Sequence, residues 1–297
     1  MWMGCTLCPR QCGAERQKGQ KGRCGADDQM RCARAALHLW EEPCLSGSRG
    51  SGAIFFSGCP LGCVFCQNYS ISHDLFGKAI TPRQLAGVFR RLEEQGAHNI
   101  NLVSPTPYIE QIIEAMNIYR PQIPVVYNTS GYERVETLER IDPYIDIYLP
   151  DLKYVSPEIS QKYSGAVDYF QAASQAVLFM LERKGENQFD DQGLMERGVI
   201  LRHLVLPGNI RQTYLLIDWL REHVPQQTII SLMCQYFPAG RAQDYPEIHR
   251  TLTPGEYSRA CQRLLEAGFT NGYFQDSPSA SQAFVPDFDL TGLEEIG

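Results

Sequence analysis

No apolar run in the 297-residue chain approaches the ~18 residues that a membrane-spanning helix needs. The first residues, MWMGCTLCPRQC, lack the charged start and apolar stretch of a secretory signal. A positive excess is missing too. The 27 Lys and Arg against 34 Asp and Glu leave a net charge of −7, which argues against a nucleic-acid partner. No RNA-binding appendage is recognisable, and no pair of carboxylates stands out as a catalytic acid and base. What remains is a globular composition of 43 % apolar and 21 % charged residues, in a length that suits one large domain or one domain with a small appendage. Cysteine, by contrast, is plentiful. Eleven thiols without a secretory leader point to a reducing cytoplasm, where thiols bind metal rather than form disulfides.

The chain is organised around Gly58-Cys-Pro-Leu-Gly-Cys-Val-Phe-Cys-Gln-Asn68, which places Cys59, Cys63 and Cys66 in a C-x3-C-x2-C spacing. Three thiolates this close can hold three irons of a cubane [4Fe–4S] cluster and leave the fourth iron without a protein ligand. That open iron is a coordination site, so the cluster can do chemistry as well as carry electrons. Gly58, Pro60 and Gly62 suit a tightly wound loop. The competing assignment is zinc or a buried thiol cluster. Structural zinc usually takes four ligands in two separated pairs, whereas this stretch offers three in one loop.

The same residues carry a family resemblance. C-x3-C-x2-C with an aromatic, Phe65, just before the last Cys resembles the signature of radical S-adenosylmethionine (SAM) enzymes. The longer string FFSGCPLGCVFCQNYSIS is similar to the branch related to pyruvate formate-lyase activating enzyme. Within that branch it resembles uncharacterised relatives with an extra Cys-rich N-terminus. The resemblance runs from Cys5 to about Gln275.

Taken in order, residues 1–49 read as a Cys-, Gly- and Arg-rich module with a linker, 50–275 as the main domain, and 276–297 as a loosely held tail. Ala53–Phe56, Asn99–Val103, Ile123–Tyr127, Tyr144–Leu149, Val199–Leu206 and Thr228–Cys234 are apolar enough for buried strands. Helical patterns separate them, two opened by the capping boxes Thr81-Pro-Arg-Gln84 and Thr253-Pro-Gly-Glu256. Alternating strands and helices imply parallel β/α units. Pattern alone leaves a doubly wound sheet or a full barrel open. The resemblance implies an α/β fold that is a partial (β/α)6 barrel.

Parallel barrels present their sites at the C-terminal ends of the strands. The second strand ends in Ser104-Pro-Thr-Pro107, where many relatives carry a Gly-Gly-Glu stretch for the methionine amine. Ser104 and Thr106 are substitutes for it or members of a Pro-rich turn. Asn128, Thr129 and Ser130 follow the third strand, placed to bond ribose hydroxyls or to cap the next helix. Asp151 and Lys153 follow the fourth, at alternate positions that face one way on an extended chain. They match the Asp-x-Lys of the activating-enzyme branch, which implies that Lys153 meets the methionine carboxylate and that Asp151 lies near SAM and helps hold a monovalent cation. Arg202 and His203 lie inside a buried strand and need partners. The resemblance implies that Arg202 contacts SAM, and His203 is either a site residue or a satisfied core histidine.

The resemblance implies a radical SAM enzyme. A [4Fe–4S] cluster on Cys59, Cys63 and Cys66 and an electron from a reductant such as flavodoxin or ferredoxin cleave SAM to a 5′-deoxyadenosyl radical, which takes hydrogen from a substrate. The best-known members of the branch activate a glycyl-radical enzyme. A Cys module covering the open side of the barrel favours a small-molecule substrate instead. An iron–sulfur electron carrier or other metal-binding protein is the alternative of another class. Cys5, Cys8, Cys12 and Cys24, in C-x2-C-x3-C-x11-C, supply four thiolates for a second metal, whether zinc, iron or a further Fe–S cluster. Cys32 and Cys44 are reserve ligands. The first 34 residues are too poor in apolar side chains to fold without such a staple.

Overall fold

A computed structural model describes residues 4–275 and 285–294. In chain order the elements are β1 (Arg31–His38), α1 (Pro43–Ser46), β2 (Ser51–Phe56), α2 (Tyr69–Ser72), β3 (Lys78–Ala79), α3 (Pro82–Glu94) and β4 (Ile100–Val103). Then come α4 (Ile109–Ile118), β5 (Val125–Thr129), α5 (Val135–Ile141), β6 (Ile147–Pro150), α6 (Pro157–Ser164), α7 (Tyr169–Lys184) and β7 (Gln188–Phe189). The chain continues through β8 (Met195–Leu204), α8 (Ile210–His223), β9 (Ile229–Met233), α9 (Pro254–Glu266) and β10 (Gly272–Phe274). The sheet runs β10-β9-β8-β6-β5-β4-β2-β1-β3, with β7 paired to β8. From β2 through β10 every pairing along this path is parallel, and β1 lies antiparallel on β2. This is the expected partial β/α barrel, with β10 as a short parallel strand beyond the sixth.

Local chemistry explains the helix positions. In α3, Thr81 and Gln84 form the reciprocal cap with Pro82 at the first turn, and Leu85, Val88, Phe89 and Leu92 bury one face. Gly96, at φ +83°, then turns the chain in a conformation that L side chains rarely adopt. The second box, Thr253 with Glu256, opens α9 in the same way. Alternation along each parallel strand sets two layers. Val125, Tyr127, Tyr148 and Leu201 pack outward beneath the helices. Val126, Ile147, Leu149, Ile200 and Ile229 turn inward and meet Cys44 and Leu45 of α1.

α1 therefore plugs the lower barrel, and the Cys44 thiol interacts with Tyr273 of β10, across from the β1 edge. The segment between β1 and β2 spans the open seam. The Cys-rich module lies elsewhere, over the loops after β2, β4 and β5: Arg134 bonds the Thr6 carbonyl (2.9 Å), and Gln111 bonds that of Asp28 (2.9 Å). Two expectations change here. Residues 31–38 are a strand rather than module and linker, because their pairing with β2 is set by a distant partner. The described part of the tail is docked. Leu290 N–H bonds Ala33 O and Ala35 N–H bonds Thr291 O, both at 3.0 Å, and Phe288 packs edge-on against Phe55. Residues 276–284 lie outside the described residues. Among the described residues no helix is long and apolar enough to cross a membrane.

Candidate active site

β2 delivers the cysteine loop. Gly58 (φ +91°) and Gly62 (φ +63°) take left-handed conformations, and a Cβ on Gly58 would stand 2.9 Å from the Cys24 carbonyl. Cys59, Cys63 and Cys66 all line one cavity of about 390 Å³. Ser164 donates to Cys63 Sγ at 3.1 Å. Arg10 clamps the loop from behind, with Nε on Pro60 O (3.0 Å) and Nη2 on Leu61 O (3.3 Å) and Ser164 O (2.7 Å); Nη1 bonds Gly165 O. Burial pushes the Cys59 thiol up to about 12, with Cys63 and Cys66 adding to it. Among the described residues no three His, Cys, Asp or Glu side chains converge tightly enough to ligate a single metal ion. A cubane distributes its thiolates over separate irons, so three thiols on one cavity wall fit a cluster better than a mononuclear ion.

Below the loop, β6 and β8 supply the charged groups. Lys153 Nζ lies 2.6 Å from Asp151 Oδ2, and Arg202 Nε lies 2.9 Å from Asp151 Oδ1. Arg202 Nη2 also donates to Asn128 Oδ1 at 2.6 Å. Burial pushes the Asp151 carboxyl up, but Arg202 and Lys153 outweigh it and hold it below the usual range. Both Asp151 oxygens are thus taken by cationic side chains. Asn128, Thr129, Ser130 and Phe65 line the same cavity, as does Ser104 in a left-handed backbone conformation (φ +58°).

Two of the residues read from the sequence point elsewhere. His203 follows Arg202 on β8 and therefore faces the other side. Its ring bonds Leu152 O (2.5 Å) and Thr213 Oγ1 (2.9 Å), and burial pushes its pKa down to about 4, so it is a satisfied, neutral core histidine. Thr106 donates to Glu133 Oε1 at 2.6 Å and lines the cavity of the N-terminal cysteines instead. Of the reserve ligands, Cys32 is buried in β1 and Cys44 in the barrel plug, both away from that cavity.

Glu133 is 1 % exposed, and Thr106 and Thr129 both donate to its Oε1. Burial still raises its pKa to about 7 against those two bonds. A carboxyl that titrates higher in the folded chain binds more protons there than in the unfolded chain. Its contribution to stability therefore falls as pH rises from about 4.5 to about 7, by about 3 kcal/mol in all. Glu133→Gln should close that gap: urea midpoints of variant and parent diverge in the variant's favour between pH 5 and pH 7.5. Parallel pH profiles would contradict the buried-acid assignment.

Sequence reasoning missed Glu41 and Glu42. The turn between β1 and α1 carries both into the barrel. Glu41 Oε2 is 3.3 Å from Arg202 Nη1, and Glu41 Oε1 accepts from Asn101 Nδ2 at 2.9 Å. Glu42 is buried with Oε2 unpartnered among the described residues. Burial pushes both carboxyls up while Arg202 pulls them down. Two acids ahead of a proline look like a solvated helix start, and no local signal separates them from one.

An uncharacterised protein of Methanocaldococcus jannaschii is 29 % identical over 88 % of this chain and 74 % of its own. Similar solved structures include Streptococcus suis SuiB bound to S-adenosylmethionine, at 13 % identity over 73 % of this chain and TM-score 0.48. The match covers 45 % of SuiB, so this chain spans under half of that protein. A domain of pyruvate-formate lyase-activating enzyme from Bacteroides vulgatus is 14 % identical over 66 % of this chain and 91 % of that domain, at TM-score 0.37. The radical SAM superfamily profile matches residues 53–209, from β2 to the start of α8, and the chain belongs to the radical SAM superfamily.

Proposed function

We propose that this chain cleaves SAM reductively in the cavity between Cys59, Cys63, Cys66 and the Asp151–Lys153–Arg202 set, and directs the resulting radical to a small-molecule substrate. One observation supports the reading above others: three thiols and two half-buried cations line a single cavity. A plain electron carrier has no use for the cations, whereas an amino-acid carboxylate does. When bound, a [4Fe–4S] cluster and SAM supply the one-electron chemistry and the 5′-deoxyadenosyl radical. Cys59, Cys63 and Cys66 are the cluster ligands. Lys153 turns from Asp151 to the methionine carboxylate, and Arg202 stays on Asp151 and Asn128 to keep the polar wall in place. Asn128 and Ser130 meet the ribose, and Thr129, whose hydroxyl is held by Glu133, lines the cavity beside them. Phe65, packed among Tyr154, Tyr163 and Tyr236, keeps water from the loop.

The small-molecule preference rests on the closed lower barrel, where α1, Glu41 and Glu42 fill the space that a threaded protein loop would cross. A one-electron donor such as flavodoxin or ferredoxin completes the system. Anaerobic reconstitution with iron and sulfide, then SAM and dithionite, should yield 5′-deoxyadenosine and methionine. Absence of both from iron-replete protein overturns the proposal. Deuterium exchange into a metabolite of a cell extract supports the substrate class, and a stoichiometric glycyl doublet on a partner enzyme reverses it. Lys153→Ala should weaken SAM binding about tenfold or more, from ~1.5–3 kcal/mol for a hydrogen bond to a charged group. Equilibrium dialysis with labelled SAM measures this, and parental affinity would remove Lys153 from the site.

A further inference from the structure

The N-terminal cysteines form a site of their own. Two tight turns present them. Cys5 N–H bonds Ala14 O, Gly13 N–H bonds Cys5 O and Gln11 N–H bonds Cys8 O, each at 3.0 Å. In the second turn Gly22 N–H bonds Ala26 O at 2.8 Å. Gln11 (φ +38°) and Gly13 (φ +65°) hold left-handed conformations in the first turn, and Gly25 (φ +80°) does so in the second. The result is one small cavity lined by Cys5, Cys8, Cys12 and Cys24. A Cβ on Gly22 would lie 3.3 Å from Cys24 Sγ and 3.4 Å from Cys12 Sγ, so the two turns bring thiols from both ends of the module together. All four cysteines are free.

The surroundings suit an anionic group. Arg16 and Arg23 line the cavity. Arg16 bonds only carbonyls, those of Asp27 and Pro107, and forms no ion pair with a carboxylate among the described residues. A cluster with four thiolate ligands carries net negative charge that such cations offset. The module buries little apolar surface of its own, and its one helical turn, Arg16–Lys18, buries nothing. Four strung-out thiols therefore need a bound group to earn their place in the fold.

We infer that Cys5, Cys8, Cys12 and Cys24 ligate a second iron–sulfur cluster, set directly behind the loop of the first. A mononuclear zinc needs its sulfurs packed around one ion at about 2.3 Å each. Zinc is the competing occupant of four thiolates, and metal and sulfide counts separate the two. Pro60, the neighbour of Cys59, lines the second cavity, and Arg10 from the Cys8–Cys12 turn holds the Pro60 and Leu61 carbonyls. The two cysteine sites therefore adjoin at the Pro60 loop. This inference stands on its own residues and survives failure of the proposed substrate chemistry.

The test uses the full-length chain reconstituted anaerobically, with iron, zinc and sulfide counted and the iron state read by Mössbauer spectroscopy. Parent protein should hold about eight irons if both sites carry cubanes. The Cys59→Ala/Cys63→Ala/Cys66→Ala variant should keep about four irons with matching sulfide, all in the N-terminal site. Cys8→Ser/Cys24→Ser should lose that share and keep the spectrum of the first cluster, which also shows that the variant folds. Stoichiometric zinc, or no metal, in the triad variant overturns the inference and leaves the triad assignment untouched. If that variant does not fold, the parent's own iron count decides: about four irons with one cluster type overturns the second site.

Discussion

Replacing Cys59, Cys63 and Cys66 together with Ala should abolish formation of 5′-deoxyadenosine, to below about one part in a thousand of the parent rate. The size follows from the arrangement. Among the described residues these three are the Cys that line the cavity, and the His that lines it, His38, belongs to β1. Loss of the ligands removes the electron path rather than trimming one contact, so the effect is not a few kcal/mol of binding but the loss of the reaction. The measurement is product formation under dithionite, with SAM binding followed in parallel. Cleavage at the parent rate in the triple variant would refute the site.

The second large effect concerns stability. Arg202 joins Asp151, Asn128 and Glu41 on the wall of the cavity, and the Glu42 carboxyl lies within its field. Arg202→Ala leaves three carboxyls without their common cation. Breaking such a buried network typically costs about 3–5 kcal/mol. The loss should ease at low pH, because burial already favours the protonated forms of Glu41 and Glu42. Their folded pKa values are raised, so the penalty for leaving them unpaired is greatest above the carboxylate range and shrinks as pH falls through it. Urea unfolding at pH 7.5 and pH 5 measures both parts. A loss under about 1 kcal/mol at pH 7.5 would show that water reaches the set and that the pairing is superficial.

Much of this was legible in the chain itself, and the reason is locality. The two capping boxes, the apolar strands and the cysteine spacing are each written within a dozen residues, and each appears where expected. β1 is different. Arg-Cys-Ala-Arg-Ala-Ala-Leu-His has no firm alternation, and only its register on β2, Cys32 opposite Phe56 and His38 opposite Ser51, makes it a strand. The same distance effect hid Glu41 and Glu42, which look solvated until the turn after β1 folds them onto Arg202. Arg202 and His203 show a subtler limit. A buried strand displays both residues as anomalies, but neighbours on a strand face opposite ways, so only one of them can reach the cavity. The partner of His203, Thr213 on α8, decides which. Thr106 turned away for a like reason, because Glu133, from the loop after β5, takes its hydroxyl.

The N-terminal module changes the substrate argument as well. A cover across the open side would have shielded the barrel by itself, but the module sits behind the cysteine loop and the β1–α1 segment spans the seam instead. The barrel is closed from below by α1 and along the seam by the segment that leads into it. Under the proposed function, shielding of a radical would fall to the plug formed by Cys44 and Leu45 and to Glu41 and Glu42 on the cavity wall.

We propose that Cys59, Cys63 and Cys66 would hold a cluster in the cavity that Lys153, Asp151 and Arg202 also line, so that SAM would meet cluster and protein together. Electron paramagnetic resonance of the dithionite-reduced Cys8→Ser/Cys24→Ser protein, recorded with and without SAM, tests it most directly because only the first cluster is then present. Binding at the open iron should change the g-values of the reduced cluster, and Lys153→Ala should shift that change to about tenfold higher SAM. A spectrum that stays the same at saturating SAM would contradict the account.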